Sequence, residues 1–183
     1  MDISQYEEKM KQAVAHFNSE LKKIRTGRAS ASMLDSVMVT AYGAEMPLNQ
    51  VANVTAPEAQ LLQITPFDPN NLQAIASAIR DNQSLGLNPM DDGRVVRVPV
   101  PPLTEERRRE LAKTVGTKSE DCMVSVRSIR HDAMDAIDQA KKDKQLGEDD
   151  AKRLEKQVED AVARVKADVD AAAKAKESEI MTL

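Results

Sequence analysis

Five residues in the second half of the sequence, Arg109, Lys113, Arg127, Arg130 and His131, have the types and spacing to hold phosphate. On a helix advancing about 100° per residue, Arg127 returns to the angle of Arg109. Lys113 and His131 then fall about 40° to one side, and Arg130 about 60° to the other. Arginine suits this task because its planar fork grips two phosphate oxygens at once. Glu120 interrupts the face, so its potential is not uniformly positive. The pattern admits two readings. One is a solvated helix face laced with intrahelical ion pairs. The other is a stripe that meets structured RNA through backbone and shape. The only aromatics are Tyr6, Phe17, Tyr42 and Phe67, which speaks against stacking on single-stranded bases. A second basic cluster, Lys22, Lys23, Arg25 and Arg28, surrounds Gly27. Cations in a last helical turn complement the dipole, and glycine permits chain reversal. Arg28, beyond the glycine, is not explained that way.

Other chemistries find little footing. Formal net charge is −4, so any nucleic-acid binding must come from a local patch rather than bulk attraction. Cys122 is the only cysteine, which excludes an internal disulfide and a thiolate zinc site. His16 and His131 lack metal-ligand spacing; His16, next to Phe17, is expected to be structural, and His131 a surface residue. Cys122 falls on an apolar stripe and is expected to be a buried structural thiol. No phosphate loop, dinucleotide fingerprint or nucleophile elbow occurs. No catalysis, cofactor or metal is expected. The polar, acidic start is not a secretory signal, and no apolar run approaches the roughly 18 residues of a membrane span. A cytoplasmic protein with no membrane contact is expected.

Three segments must position these residues. From Asp2 to about Arg28, Ile3, Met10, Phe17 and Ile24 recur as one helical stripe. Residues 31–102 contain every proline and read as a small α/β unit: strands at 37–42, 50–56, 61–67 and 94–100, a helix over 69–81 and a turn cluster at 88–93. From Thr104 a helical stripe returns through Leu111, Val115, Cys122, Val126, Ile129, Ala133, Ile137 and Ala140. It breaks at 142–150, where Gly147 reads as the C′ residue and Glu148, Asp149 and Asp150 open another helix. The last stripe runs through Ala151, Leu154, Val158, Ala161, Val165, Ala172 and Ala175 to about Ile180. A lone amphipathic helix cannot bury its stripe. The expected fold is therefore α+β in two domains. Residues 1–29 and 104–183 form an elongated, antiparallel three-helix bundle, and residues 31–102 form an inserted small α/β domain. A hinge is expected near 28–31 and 101–105, with Arg25, Gly27, Arg28, Pro101 and Pro102 at or beside it.

Four stretches, "KIRTGRAS" (23–30), "LGLNP" (85–89), "VPVPPLTEERRREL" (98–111) and "VRSIRHDAMD" (126–135), together resemble the bacterial ribosome recycling factor family over essentially the whole chain. The resemblance implies a layered β/α/β small domain and a non-enzymatic translation factor. Such a factor binds the large ribosomal subunit after peptide release and, with elongation factor G and GTP, promotes subunit splitting; a monomer is expected. Arg127 and Arg130 match the family's RNA-contacting arginines, and Arg28, Arg107 and Arg108 match basic positions at or beside the hinge. Two departures stand out. His131 occupies a place that more often carries Arg or Lys, and an unperturbed imidazole is mostly uncharged at neutral pH. Gly147 stands where a serine cap is common. The rival expectation is a helical adaptor or chaperone-like protein that binds other proteins without RNA.

Overall fold

The computed structural model describes residues 1–182. The chain divides into two compact units, Met1–Thr26 with residues from Thr104 onward, and Gly27–Leu103. Each has its own apolar core.

The first unit contains three long helices, α1 (Ser4–Lys22), α4 (Glu105–Lys142) and α5 (Glu148–Met181). Their common core is almost wholly aliphatic, with Phe17 its only fully buried aromatic. The helices α1 and α4 run antiparallel: Glu20 meets Lys118, while Cys122, farther along α4, meets Ala13, farther back on α1. The buried Cys122 thiol donates to the Ala13 carbonyl at 3.6 Å, and burial pushes its pKa up. It is a packing residue, as its place on the stripe suggests.

Helix α4 spans 38 residues, roughly 57 Å at 1.5 Å per residue. Its start is capped by Thr104, whose hydroxyl accepts from the Arg107 amide at 3.1 Å, and Glu105 and Glu106 complement the dipole. Ala133, Ile137 and Val126 are fully buried on the stripe. No helix among the described residues is long and apolar enough to cross a membrane.

Several local expectations are corrected. Helix α1 ends at Lys22, not near Arg28. Its last carbonyls are closed by the amides of Lys23 and Ile24, and Gly27 turns the chain at φ +83°. His16 is exposed rather than structural. Gly147 is the N-cap of α5 and not the C′ residue of α4; Lys144 takes the left-handed conformation, at φ +59°. On α5, Val165 and Ala172 are only half-buried and Ala175 is exposed, while Val169 and Ala173 are buried instead. A 3.6-residue helix drifts about 20° per heptad, so a strict seven-residue extrapolation walks off the seam. The stripe corrects this with a step of eleven residues from Val158 to Val169.

The second unit holds a four-stranded antiparallel sheet, ordered β3 (Ala52–Glu58), β4 (Leu61–Pro66), β6 (Val96–Pro99), β5 (Met90–Asp91). Beside it stands the hairpin of β1 (Met38–Ala41) and β2 (Ala44–Pro47), closed through Tyr42 and Gly43, both at positive φ. A short helix α2 (Leu48–Val51) leads from β2 into β3. Helix α3 (Leu72–Asp81) packs against β1 on one side and against β5 and β6 on the other, which makes the β/α/β layering. Asp68 opens the 3-10 turn before α3 by accepting from the Asn70 amide at 2.9 Å. The pair β2 and α2 escaped the sequence pattern because "AEMPLNQV" alternates poorly and carries a proline. The stretch 94–100 yields a strand only at Val96–Pro99, because Asp92 draws the Arg94 and Val95 amides into a turn. The entry and exit segments are pinned at neighbouring points of the β3–β4 turn. The Ala29 amide donates to the Ala59 carbonyl at 2.7 Å, and the Val100 amide to the Gln60 carbonyl at 2.8 Å.

Two predictions concern the bundle. Gly116 lies inside α4 with open space where a Cβ would stand. Gly116→Ala should therefore stabilise the bundle by about 1 kcal/mol and raise its melting temperature by about 2–4 °C; a scan showing no rise contradicts the open-site geometry. Glu20 accepts from Lys23 at 2.8 Å and lies 3.2 Å from Lys118 of α4, and these bonds lower its pKa from 4.5 to about 2. The folded state holds this proton less tightly than the unfolded chain does. The contribution to stability is thus complete above pH 4.5 and is lost as pH falls toward 2. Carboxyl-carbon NMR titration should place the Glu20 midpoint well below 4.5, and a midpoint at that ordinary value would show that the α1–α4 clamp does not form.

Candidate nucleic-acid interface

All five cations of the basic stripe lie on α4, turned away from its buried face. The side chains of Arg109, Arg127 and His131 are 72%, 57% and 74% exposed. Arg130, set nearer the apolar stripe by its helical angle, is 40% exposed. The stripe has two ends. Arg109 and Lys113 stand near the start of the helix, and Arg127, Arg130 and His131 stand some 21 Å farther along, at 1.5 Å per residue.

Four of the five are held by carboxylates. Arg109 pairs with Glu105 one turn back. Arg127 reaches past a turn to Glu120, the acid that interrupts the face. His131 lies 3.3 Å from Asp135. Arg130 crosses to α5, where Nε donates to Glu159 Oε1 at 3.0 Å and Nη2 donates to the same oxygen. That bond holds the Glu159 carboxyl below its ordinary range and the Arg130 guanidinium above its own. Lys113 has no ion pair among the described residues.

The ion-paired, solvated face foreseen as one reading of the stripe is thus present. It does not exclude the other reading. Exposed pairs of this kind are worth about 0–1 kcal/mol, so a phosphate can replace a carboxylate at small cost. The helix carries these groups on one continuous 38-residue backbone, which sets the spacing between them.

The remaining candidates lie at the chain crossings. Arg25, Arg28, Pro101 and Pro102 are exposed, and Gly27 is buried. Arg107 pairs with Glu110 at 2.7 Å, and Arg108 is half-buried. Sequence reasoning missed the acidic partners, Glu159 above all. The signal was available: reflecting α4 onto α5 about the turn near Gln145 carries Arg130 to within one residue of Glu159.

The described residues hold no group of three His, Cys, Asp or Glu side chains able to bind a metal. A cleft of about 180 Å³ between α1 and α4 is lined by His16, Phe17, Glu20, Lys118, Asp121 and Cys122, and there Glu20 and Lys118 are already paired.

The family model described as ribosome recycling factor matches residues 17–181. The ribosome-recycling factor of Rubrobacter xylanophilus is 44% identical over 181 residues, covering 99% of this chain and 97% of that protein. That of Rhizorhabdus wittichii is 47% identical over 180 residues, covering 98% and 97%. A solution structure of the ribosome recycling factor superposes with a TM-score of 0.78 at 34% identity, covering 99% of this chain and 96% of that one. A second similar structure, of the Thermus thermophilus factor in models with Escherichia coli elongation factor G on the post-termination complex, gives a TM-score of 0.62 at 38% identity, covering 97% and 96%. With the family model matching from within α1 to the end of α5 and relatives similar over nearly the whole chain, this chain belongs to the ribosome recycling factor family.

Proposed function

We propose that this chain binds the large ribosomal subunit of the post-termination ribosome and, with elongation factor G and GTP, promotes separation of the subunits. Arg127 and Arg130, with His131 beside them and Arg109 and Lys113 toward the helix start, contact ribosomal RNA phosphates. The observation that carries this reading is the set of guanidinium groups held outward at fixed intervals on one rigid helix, in a chain of this family. The related Thermus thermophilus factor has been placed with elongation factor G on a post-termination complex.

The chain acts as a monomer and catalyses nothing itself. Its partner's GTP cycle supplies the force, and the bundle serves as a lever because its three helices share one core. The small unit is the part moved. It carries seven acids against three bases within 31–102, whereas the rest of the chain balances at 23 and 23. That distribution leaves RNA contact to the bundle. Hinge motion falls on the short stretches around Gly27–Arg28 and Pro101–Pro102, because the Ala29 and Val100 amides are already fixed to the sheet on the inner side. Arg25, Arg28, Arg107 and Arg108 flank those stretches, and either fix the pivot or meet RNA beside it.

Purified post-termination ribosomes supplied with elongation factor G and GTP should split when this protein is added, as read by light scattering. Arg130→Ala should slow splitting at least tenfold at sub-saturating factor, the loss expected for a charged hydrogen bond worth ~1.5–3 kcal/mol. Splitting by the variant at the wild-type rate would remove Arg130 from the docking surface. Absence of splitting by the wild type, with a cognate translocase present, would overturn the recycling role and favour the protein-binding adaptor.

A further inference from the structure

The acids that hold the basic stripe are not equivalent. Glu105 with Arg109 and Asp135 with His131 are one-turn pairs within α4, of the kind that supports any exposed helix. Glu159 belongs to α5, and it receives both Nε and Nη2 of Arg130 on a single oxygen. Arginine also grips phosphate with two guanidinium donors, there spread over two oxygens, so Glu159 uses up the same donors that a phosphate would take. Arg130 is the least exposed arginine of the stripe, so it has less freedom to leave that partner. Glu120 holds Arg127 from within α4 through Nη2 alone. Only Lys113 stands without a carboxylate among the described residues. An arginine stripe left open would bind any polyanion, since phosphate contacts carry no sequence information.

We propose that Glu159, assisted by Glu120, is a specificity-determining residue that occupies Arg130 as an internal stand-in for phosphate, so that generic RNA gains little from the stripe. A surface that engages Arg109, Lys113, Arg127 and Arg130 together repays the displaced carboxylates through many contacts made at once. A duplex touching one or two of them does not. The inference rests on the RNA-docking reading above, and it assigns to α5 a part in discrimination that the basic residues alone do not supply.

The test uses the full-length protein and a fluorescently labelled 20-base-pair RNA duplex of arbitrary sequence, with anisotropy read across a potassium chloride series. Glu159→Gln should tighten duplex binding about threefold to fivefold, in line with the strength of an exposed ion pair. It should steepen the logarithmic salt slope by up to about 0.9, one further phosphate contact. Asp160→Asn, which removes the same charge from the next residue, should leave both unchanged, and the Glu159→Gln gain should vanish in an Arg130→Ala background. No gain, an equal gain from Asp160→Asn, or a gain that survives without Arg130 would each overturn the proposal, the last two by showing only a general charge effect. A parallel titration of large subunits with Arg130→Ala separates the two levels. Unchanged subunit affinity there sinks the docking reading, whereas weakened affinity with no duplex gain sinks only the stand-in role of Glu159. Thermal melts of each variant confirm a folded bundle.

Discussion

The apolar stripe of α1 has no partner within reach along the chain. The helix ends at Lys22, and the helices that cover Met10, Phe17 and Leu21 begin at Glu105. Everything else in the molecule depends on that long-range burial. A 19-residue helix is marginal alone in water, and α4 and α5 by themselves leave one side of their seam open. Closing a long flexible loop would add an entropic cost to the seam. The inserted unit reduces that cost by being folded. Its entry and exit backbones are tied to adjacent residues, Ala59 and Gln60, so the two ends of the insertion emerge close together. The small unit therefore acts, for the bundle, as a short connection.

A rigid bundle then gives the stripe its meaning. Guanidinium groups on a flexible segment would have to be ordered at the moment of docking, at a cost of about 0.5–1.5 kcal/mol per long side chain and more for the backbone. On α4 the backbone is already fixed by a core that includes the fully buried Val126, Ala133 and Ile137, on the same stretch of helix as Arg127 and Arg130. The carboxylates add a second layer of order by holding four of the five head groups in place. The result is a row of pre-placed donors, four of the five balanced locally by a carboxylate.

The helices of the bundle were legible in the sequence because their stripes are long and charged residues fill the opposite faces. Their ends were less so. Lys23, Ile24 and Arg25 continue the pattern of α1 in composition, but the chain leaves the helix before them, and only the positive φ of Gly27 marks the turn. Gly147 was misplaced for a related reason. Glycine near a helix break is a C′ signal by habit, yet here Lys144 takes the left-handed conformation and glycine opens the next helix. In the small unit the short β2, α2 and β5 carry too few residues to show a period. The cations of the stripe were readable from angle alone. The cross-helix partner Glu159 needed a second step, the register of α4 against α5, which becomes readable only once the interhelical turn near Gln145 is located.

The central claim is that α1, α4 and α5 form one cooperative body despite the interruption between Lys22 and Glu105. Native-state hydrogen exchange over a series of low denaturant concentrations tests it most directly. The account predicts that amides around Phe17 in α1 and around Ile137 in α4 exchange through the same global opening, with equal free energies and equal denaturant dependence. Exchange of the α1 amides at a distinctly lower free energy, with α4 and α5 still protected, would show a helix that docks and undocks on its own, and would contradict the account.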